Sequence, residues 1–325
     1  MKLSIKKYRK KQLICLYFMF VSTFTSFSQT FVELEQKAKQ GDVESMHLLG
    51  RAYHLGNNIN RNYAKAIQWY KKAADLGYER SMHNLGLCYM HGCGVQPDTI
   101  VAINYFQQAA NKDLILSIEL LSQIYQNGIG VEQNFDSCFY WCERAAKLGS
   151  SDAQYKLSLL YAYGFGTEVN EKAMFEWALE SAEAGNVLGQ ELVGQFYIEG
   201  KGVYPDDSKA LFWLTKAAEQ GASTSLGKQY QIGRIVELDK KKAFELFKVA
   251  AESGDSWGQY ELAECYRYGR GTKQDRKLAM FWYYQSAQNG YSPAVEVLEE
   301  IDTKVDEDEL RQKNLEYKEW FNKNR

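Results

Sequence analysis

Small and apolar positions recur on a helical clock through residues 41–300. Ser81, Leu85 and Tyr89 stand at i, i+4 and i+8, which lines one face of an α-helix. The tyrosine returns at Tyr53, Tyr89, Tyr125, Tyr161, Tyr197, Tyr230 and Tyr266, a period of 36 residues with one interval of 33. Three residues after each comes a glycine: Gly56, Gly92, Gly128, Gly164, Gly200, Gly233 and Gly269. Five units add a second glycine two residues later, at Gly94, Gly130, Gly166, Gly202 and Gly271. Then Asn62, Asp98, Asn134, Asn170, Asp206, Asp239 and Asp275 precede a second apolar-periodic run with Trp69, Tyr105, Trp141, Trp177, Trp213, Leu246 and Trp282. Each unit closes on a small pair such as Ala73-Ala74 and a glycine such as Gly77. The pattern predicts helix, glycine-ended turn, capped helix. One such hairpin cannot bury its apolar face alone, so neighbours stack.

Some departures from the rule are local. Asp113 stands where the closing glycine of the second unit is expected. The sixth unit, 222–254, lacks three residues from its first helix and carries Ile235 in place of the second glycine.

The repeats settle how LGLCYMHGCGV, residues 85–95, is to be read. Cys88, His91 and Cys93 resemble soft metal ligands, and Gly92 and Gly94 a phosphate loop. Gly92 and Gly94 belong to the period, however, and mark a helix end. The period demands neither cysteine, because Ala52 and Asn57 hold those places one unit earlier.

The ends differ from the array. Lys2, Lys6, Lys7, Arg9, Lys10 and Lys11 precede an apolar run from Leu13 to Phe27, and Ser26 and Ser28 precede Gln29. Residues 1–28 therefore read as a secretory signal peptide, with an uncleaved anchor as the alternative. Cleavage would leave 33 basic and 41 acidic residues, a mildly acidic exported chain, periplasmic or extracellular. That balance gives no reason to expect nucleic acid as partner. Residues 29–40, with Phe31 and Leu34, are expected to cap the array over 41–301, and 302–325 to close it as a capping helix or a docking tail around Trp320-Phe321.

The signature is well developed over 185–221: Gly194, Tyr197, Gly200, Gly202, Val203, Asp206, Lys209, Ala210, Trp213, Lys216, Ala217, Ala218 and Gly221. It resembles the Sel1-like repeat, a relative of the tetratricopeptide repeat. The resemblance spans about residues 41–300 and implies an all-α fold, a right-handed α/α superhelical solenoid of about seven helix–turn–helix repeats. It also implies a non-enzymatic scaffold that binds a protein or peptide. Some secreted, cysteine-rich members are linked to β-lactam binding or hydrolysis, which makes a hydrolase of that kind the rival reading. The regular cysteine pairs of those members are absent here.

In stacked hairpins of the tetratricopeptide kind, the first-helix face opposite the buried stripe lines the concave surface. At 100° per residue, that face falls two before the leucine, two after it, and one after the tyrosine. The expected partner-binding positions are His47, Arg51 and His54; His83, Leu87 and Met90; Glu119, Gln123 and Gln126; Tyr155 and Leu159, with Ala162; Glu191, Gln195 and Ile198; and Tyr260, Glu264 and Arg267. Leu87, Met90, Leu159 and Ile198 have no evident core role there, and aligned exposed apolar side chains mark interaction surfaces. The alternative is a solvated helix face.

No G-x-S-x-G, H-E-x-x-H or Walker motif occurs, so no catalytic residue is assigned. Neither a cofactor nor a metal is expected. All four histidines lie in the first two units, and equivalent ones are about 10 Å apart, too far to share one ion. Cys88, Cys93, Cys138, Cys142 and Cys265 would remain after cleavage, an odd number that leaves at least one thiol unpaired. Cys138 suits a small buried position, and a bridge from Cys93 to a neighbouring unit is the alternative for that residue.

Overall fold

A computed structural model describes residues 31–56, 59–301 and seven scattered positions beyond them. The expected leader 1–28 and nearly all of the expected closing segment 302–325 lie outside the described residues. Helix α1 spans 31–39. Seven hairpins follow: α2 (Val43–Leu55) with α3 (Tyr63–Asp75), α4 (Glu79–His91) with α5 (Thr99–Ala110), α6 (Ile115–Asn127) with α7 (Phe135–Lys147), α8 (Ser151–Tyr163) with α9 (Glu171–Glu183), α10 (Val187–Glu199) with α11 (Asp207–Glu219), α12 (Thr224–Ile232) with α13 (Lys240–Glu252), and α14 (Ser256–Tyr268) with α15 (Arg276–Gln288). Helix α16 (Ser292–Ile301) follows them. There is no strand among the described residues. The all-α solenoid of seven hairpins stands as expected, and the chain divides into two compact bodies after Arg144.

The repeated turn has one construction. The glycine after each first helix is left-handed; Gly92, at φ +70°, returns its N–H to Cys88 C=O. A side chain there would be strained. Farther along the turn the chain is tied back. The N–H of Asp98 donates to Tyr89 C=O at 2.8 Å, and the equivalent bond recurs in all seven repeats, from Asn62 to Tyr53 through Asp275 to Tyr266. The same Asn or Asp side chain then accepts from the first turn of the second helix, as Asp98 Oδ1 does from Val101 N at 2.9 Å and Asn134 Oδ1 from Ser137 N at 2.8 Å. One residue thus ends the loop and starts the helix.

The second glycine serves its own turn, at positive φ in all five repeats, and a neighbour as well. A Cβ on Gly202 would lie 2.0 Å from the carbonyl oxygen of Glu171, the first residue of α9 in the preceding repeat. Stacking brings the loop of one repeat onto the helix start of the one before.

Within each hairpin the residue after the Trp position is fully buried: Tyr70, Phe106, Cys142, Ala178, Leu214, Phe247 and Tyr283 are at most 1% exposed. In four repeats it abuts a glycine in the first helix, where a Cβ on Gly50, Gly86, Gly194 or Gly227 would sit 2.4–2.8 Å from Tyr70, Phe106, Leu214 or Phe247. Asp113 holds φ +59°, the left-handed conformation of the glycine it replaces, and its carboxylate meets Arg144 at 2.7 Å. The sixth first helix, α12, has nine residues where α10 and α14 have thirteen.

Candidate partner-binding site

The first-helix face is narrower than a single buried stripe allows. Within a compact body, a first helix packs on its own second helix and also on the first helix of the next repeat. The position two before the leucine therefore turns toward that next helix. His47 is 7% exposed, bonds through Nδ1 to Ser81 Oγ at 2.9 Å, and lies between the rings of Tyr70 and Tyr78. His83 repeats the contact one repeat on, to Ser117 Oγ at 2.8 Å. His54 Nδ1 approaches Cys88 Sγ at 3.7 Å. His47 is thus largely buried while still touching a groove wall, whereas Ile198 is buried in the core. Ile198 is 7% exposed in the core around Phe196 and Tyr197, with its carbonyl taken by Arg234 at 2.7 Å.

Burial governs the charge of these rings. Desolvation, reinforced by Arg51 and Arg80, pushes His47 down to about 4. Burial lowers His83 too, and lowers His54 together with Arg61. All three are neutral near pH 7. Cys88 is buried and pushed up to about 12, so it is a thiol and not a thiolate, and no disulfide joins the cysteines among the described residues. Among those residues, too, no three His, Cys, Asp or Glu side chains converge as a metal site would require.

An open groove of about 700 Å³ lies in the first compact body. It gathers His47, Arg51 and His83 from the expected set. It adds Arg80, Asn84, Asp113, Leu114, Ile115 and Leu116, which sequence reasoning missed. Leu116 is 60% exposed, but its place holds Glu44, Arg80 and Asp152 in some first helices and Leu188 and Trp257 in others, so the sequence alone does not single it out. His54, Leu87, Met90, Glu119, Gln123 and Gln126 do not line this groove. Leu87, Met90, Glu119 and Gln126 are half-buried, and Gln123 is exposed.

The second body presents polar networks at the equivalent places. Ser225 donates to Glu191 and accepts from Gln195 Nε2 at 3.2 Å. Burial raises the Glu191 carboxyl, with Asp255 adding to the effect and Ser225 opposing it. Tyr155 and Leu159 are half-buried. Tyr260 packs edge-on against Tyr283, whose hydroxyl donates to Glu264. Arg267 and Arg270 reach Glu264 at 3.9 and 3.7 Å. Arg267 also lines a smaller cavity of about 260 Å³ with Met280 and Tyr283.

A family model for the Sel1 repeat matches seven times, at residues 43–78, 80–114, 116–150, 151–186, 187–221, 222–255 and 258–291. The chain belongs to the Sel1 repeat family. Sel1 repeat proteins generally mediate protein–protein interaction and are generally non-enzymatic scaffolds. The Sel1 array here is similar to c5321, a protective antigen of uropathogenic Escherichia coli strains with an SLR fold. The two are 31% identical with a TM-score of 0.69, over 87% of this chain and 62% of that one. A Sel1 repeat protein from Oxalobacter formigenes is 26% identical with a TM-score of 0.69, over 86% of this chain and 82% of that one. Among curated proteins, the DAP3-binding cell death enhancer 1 of Rattus norvegicus is 39% identical over 61 residues, which is 19% of this chain and 12% of that protein. The chain thus spans a small part of the rat protein and less than two thirds of the Escherichia coli antigen.

Proposed function

We propose that this Sel1 array is a non-enzymatic scaffold, exported to the periplasm or cell exterior, that holds a peptide or protein partner along its first-helix face. One observation carries the reading. In the first compact body, side chains from three successive first helices converge on an open groove of about 700 Å³ with polar walls and an apolar shelf at Leu114–Leu116. Open grooves with exposed apolar side chains bounded by polar ones are the usual form of a docking surface. Export rests on the basic head and apolar run of residues 1–28, and a mature terminus at Gln29 by mass spectrometry is the expected result.

The test is co-purification from the native host with the wild type, with Leu116→Ser, and with Tyr155→Ala plus Leu159→Ala. Recovery is expected to fall severalfold for Leu116→Ser, whose side chain stands in solvent and carries little folding energy. Undiminished recovery with both variants would count against the first-helix face. Turnover of nitrocefin by the purified chain, lost on substituting a groove residue, would replace the scaffold with a hydrolase of the β-lactam kind.

A further inference from the structure

We infer that the groove of the first compact body takes an acidic, extended peptide segment of a partner protein, with its carboxylates on Arg51 and Arg80 and an apolar side chain on Leu114 and Leu116. The inference rests on the scaffold reading and specifies its ligand. Its basis is the balance of charge at the groove wall. Arg51 and Arg80 are exposed and make no ion pair among the described residues, although such pairs occur along the rest of the array. His47, buried against Ser81, and His83, half-buried against Ser117, contribute no charge near neutral pH. Asp113 is the one acidic residue among the described residues that lines the groove, and Arg144 already neutralises it at 2.7 Å. Two unspent guanidiniums therefore face an open cleft in a chain whose net charge is −2. A guanidinium recognises a carboxylate through paired N–H donors.

A second feature points the same way. Helices α2, α8, α10 and α14 open on Asp42, Ser150, Asn186 and Asp255, whose side chains accept first-turn N–H groups. Helices α4 and α6 open on Tyr78 and Leu114, with no side-chain cap. The amides of Ile115 and Leu116, on the groove wall, have no acceptor among the described residues. In α6 the third amide, Ser117 N, already bonds Leu114 C=O at 2.9 Å, and the first two stay open to an incoming carboxylate. The shelf of Leu114 and Leu116 beside these donors asks for an apolar side chain next to the acid. A nucleic acid fits less well, because two arginines do not make a phosphate-tracking stripe and no exposed aromatic ring among the described residues lines the cleft for a base.

The experiment uses the mature chain and fluorescence anisotropy with three fluorescein-labelled probes: the peptide Asp-Leu-Glu-Asp-Leu, its amide counterpart Asn-Leu-Gln-Asn-Leu, and oligothymidylate. The acidic peptide is expected to bind at least about tenfold tighter than the amide peptide and to weaken with added salt. Arg51→Gln plus Arg80→Gln should remove about tenfold or more of that affinity while leaving the thermal melt unchanged, because both side chains are exposed. Equal binding of the two peptides, unaltered binding by the double variant, no binding of the acidic peptide, or tighter binding of the oligonucleotide would each overturn the inference. Should the acidic peptide fail while partner recovery still depends on Leu116, the ligand assignment falls alone. Should recovery be independent of Leu116 and of the Tyr155 and Leu159 pair, the scaffold reading falls with it.

Discussion

At His47 a side chain expected on a binding face proves to join two repeats. Its folded pKa is about 4, against 6.5 for a free histidine, chiefly because burial disfavours the imidazolium. Over that interval the unfolded chain binds a proton that the folded chain does not. The stability it confers is therefore intact above pH 6.5 and is lost as pH falls toward 4. Complete loss amounts to at most about 3.5 kcal/mol, because each tenfold change in proton affinity is worth about 1.4 kcal/mol. His54 and His83 are shifted in the same direction and steepen the decline, whereas the raised Glu191 carboxyl loses stability as pH rises above its ordinary range. Urea midpoints followed from neutral to mildly acid pH should show His47→Gln with a shallower decline than the wild type; parallel curves would exclude His47 as a source. Asp113 offers a second comparison. A non-glycine residue at φ +59° costs about 1 kcal/mol, and the exposed ion pair to Arg144 returns less than that. Asp113→Gly should raise the melting temperature slightly and Asp113→Ala lower it. A lower melting temperature for both variants, Asp113→Gly included, would mean the ion pair dominates.

Between helices of one hairpin, packing depends on a missing side chain. A Cβ on Gly86 would lie 2.4 Å from the ring of Phe106, which is fully buried and has nowhere to move. Alanine gains about 1 kcal/mol of helix propensity over glycine, but overpacking a tight core costs about 1–3 kcal/mol. Gly86→Ala should therefore destabilise the chain in chemical denaturation. Adding Phe106→Leu should recover part of the loss, and strict additivity of the two changes would show that the ring is not the obstacle. This level is only partly legible in sequence. The caps at Asn62 through Asp275 and the turn glycines can be read directly, because backbone geometry restricts which residues can stand there. The pairing of Gly86 with Phe106 cannot, since it joins two helices across a turn that no local pattern bridges. The face opposite the Leu85 stripe departs from expectation for a related reason. Periodicity reports one buried side of a helix, while these first helices have neighbours on two, and His47 and Ile198 lie on the second. The groove residues Leu114–Leu116 sit at a helix start, where a hydrophobic period carries no information about exposure.

In a stacked array, the weakest element decides where the structure opens first. Helix α12 is that element in the second compact body. It has nine residues, begins at Ser223 without a side-chain cap, and is held to the adjoining first helices by polar contacts: Ser225 to Glu191, Thr224 to Asp255, and Lys228 to Glu261 at 2.5 Å. Glu261 is 4% exposed and accepts one further bond, from Trp257 Nε1 at 3.2 Å. Its partner lysine is partly solvated, so the pair adds little net stability, but losing the lysine strands a buried carboxylate at a cost of about 2–3 kcal/mol. Lys228→Ala should therefore speed amide hydrogen exchange in α12 and the start of α14 while α8 and α9 keep their protection. Lys228→Met with Glu261→Gln removes both charges and should restore most of the protection. A uniform loss of protection through the second body would mean that α12 is bound into the global unfolding step. No change at all would mean that Trp257 alone satisfies the acid, and the short helix would then owe its place to Leu226, Gly227 and the ring of Phe247 rather than to its polar ties.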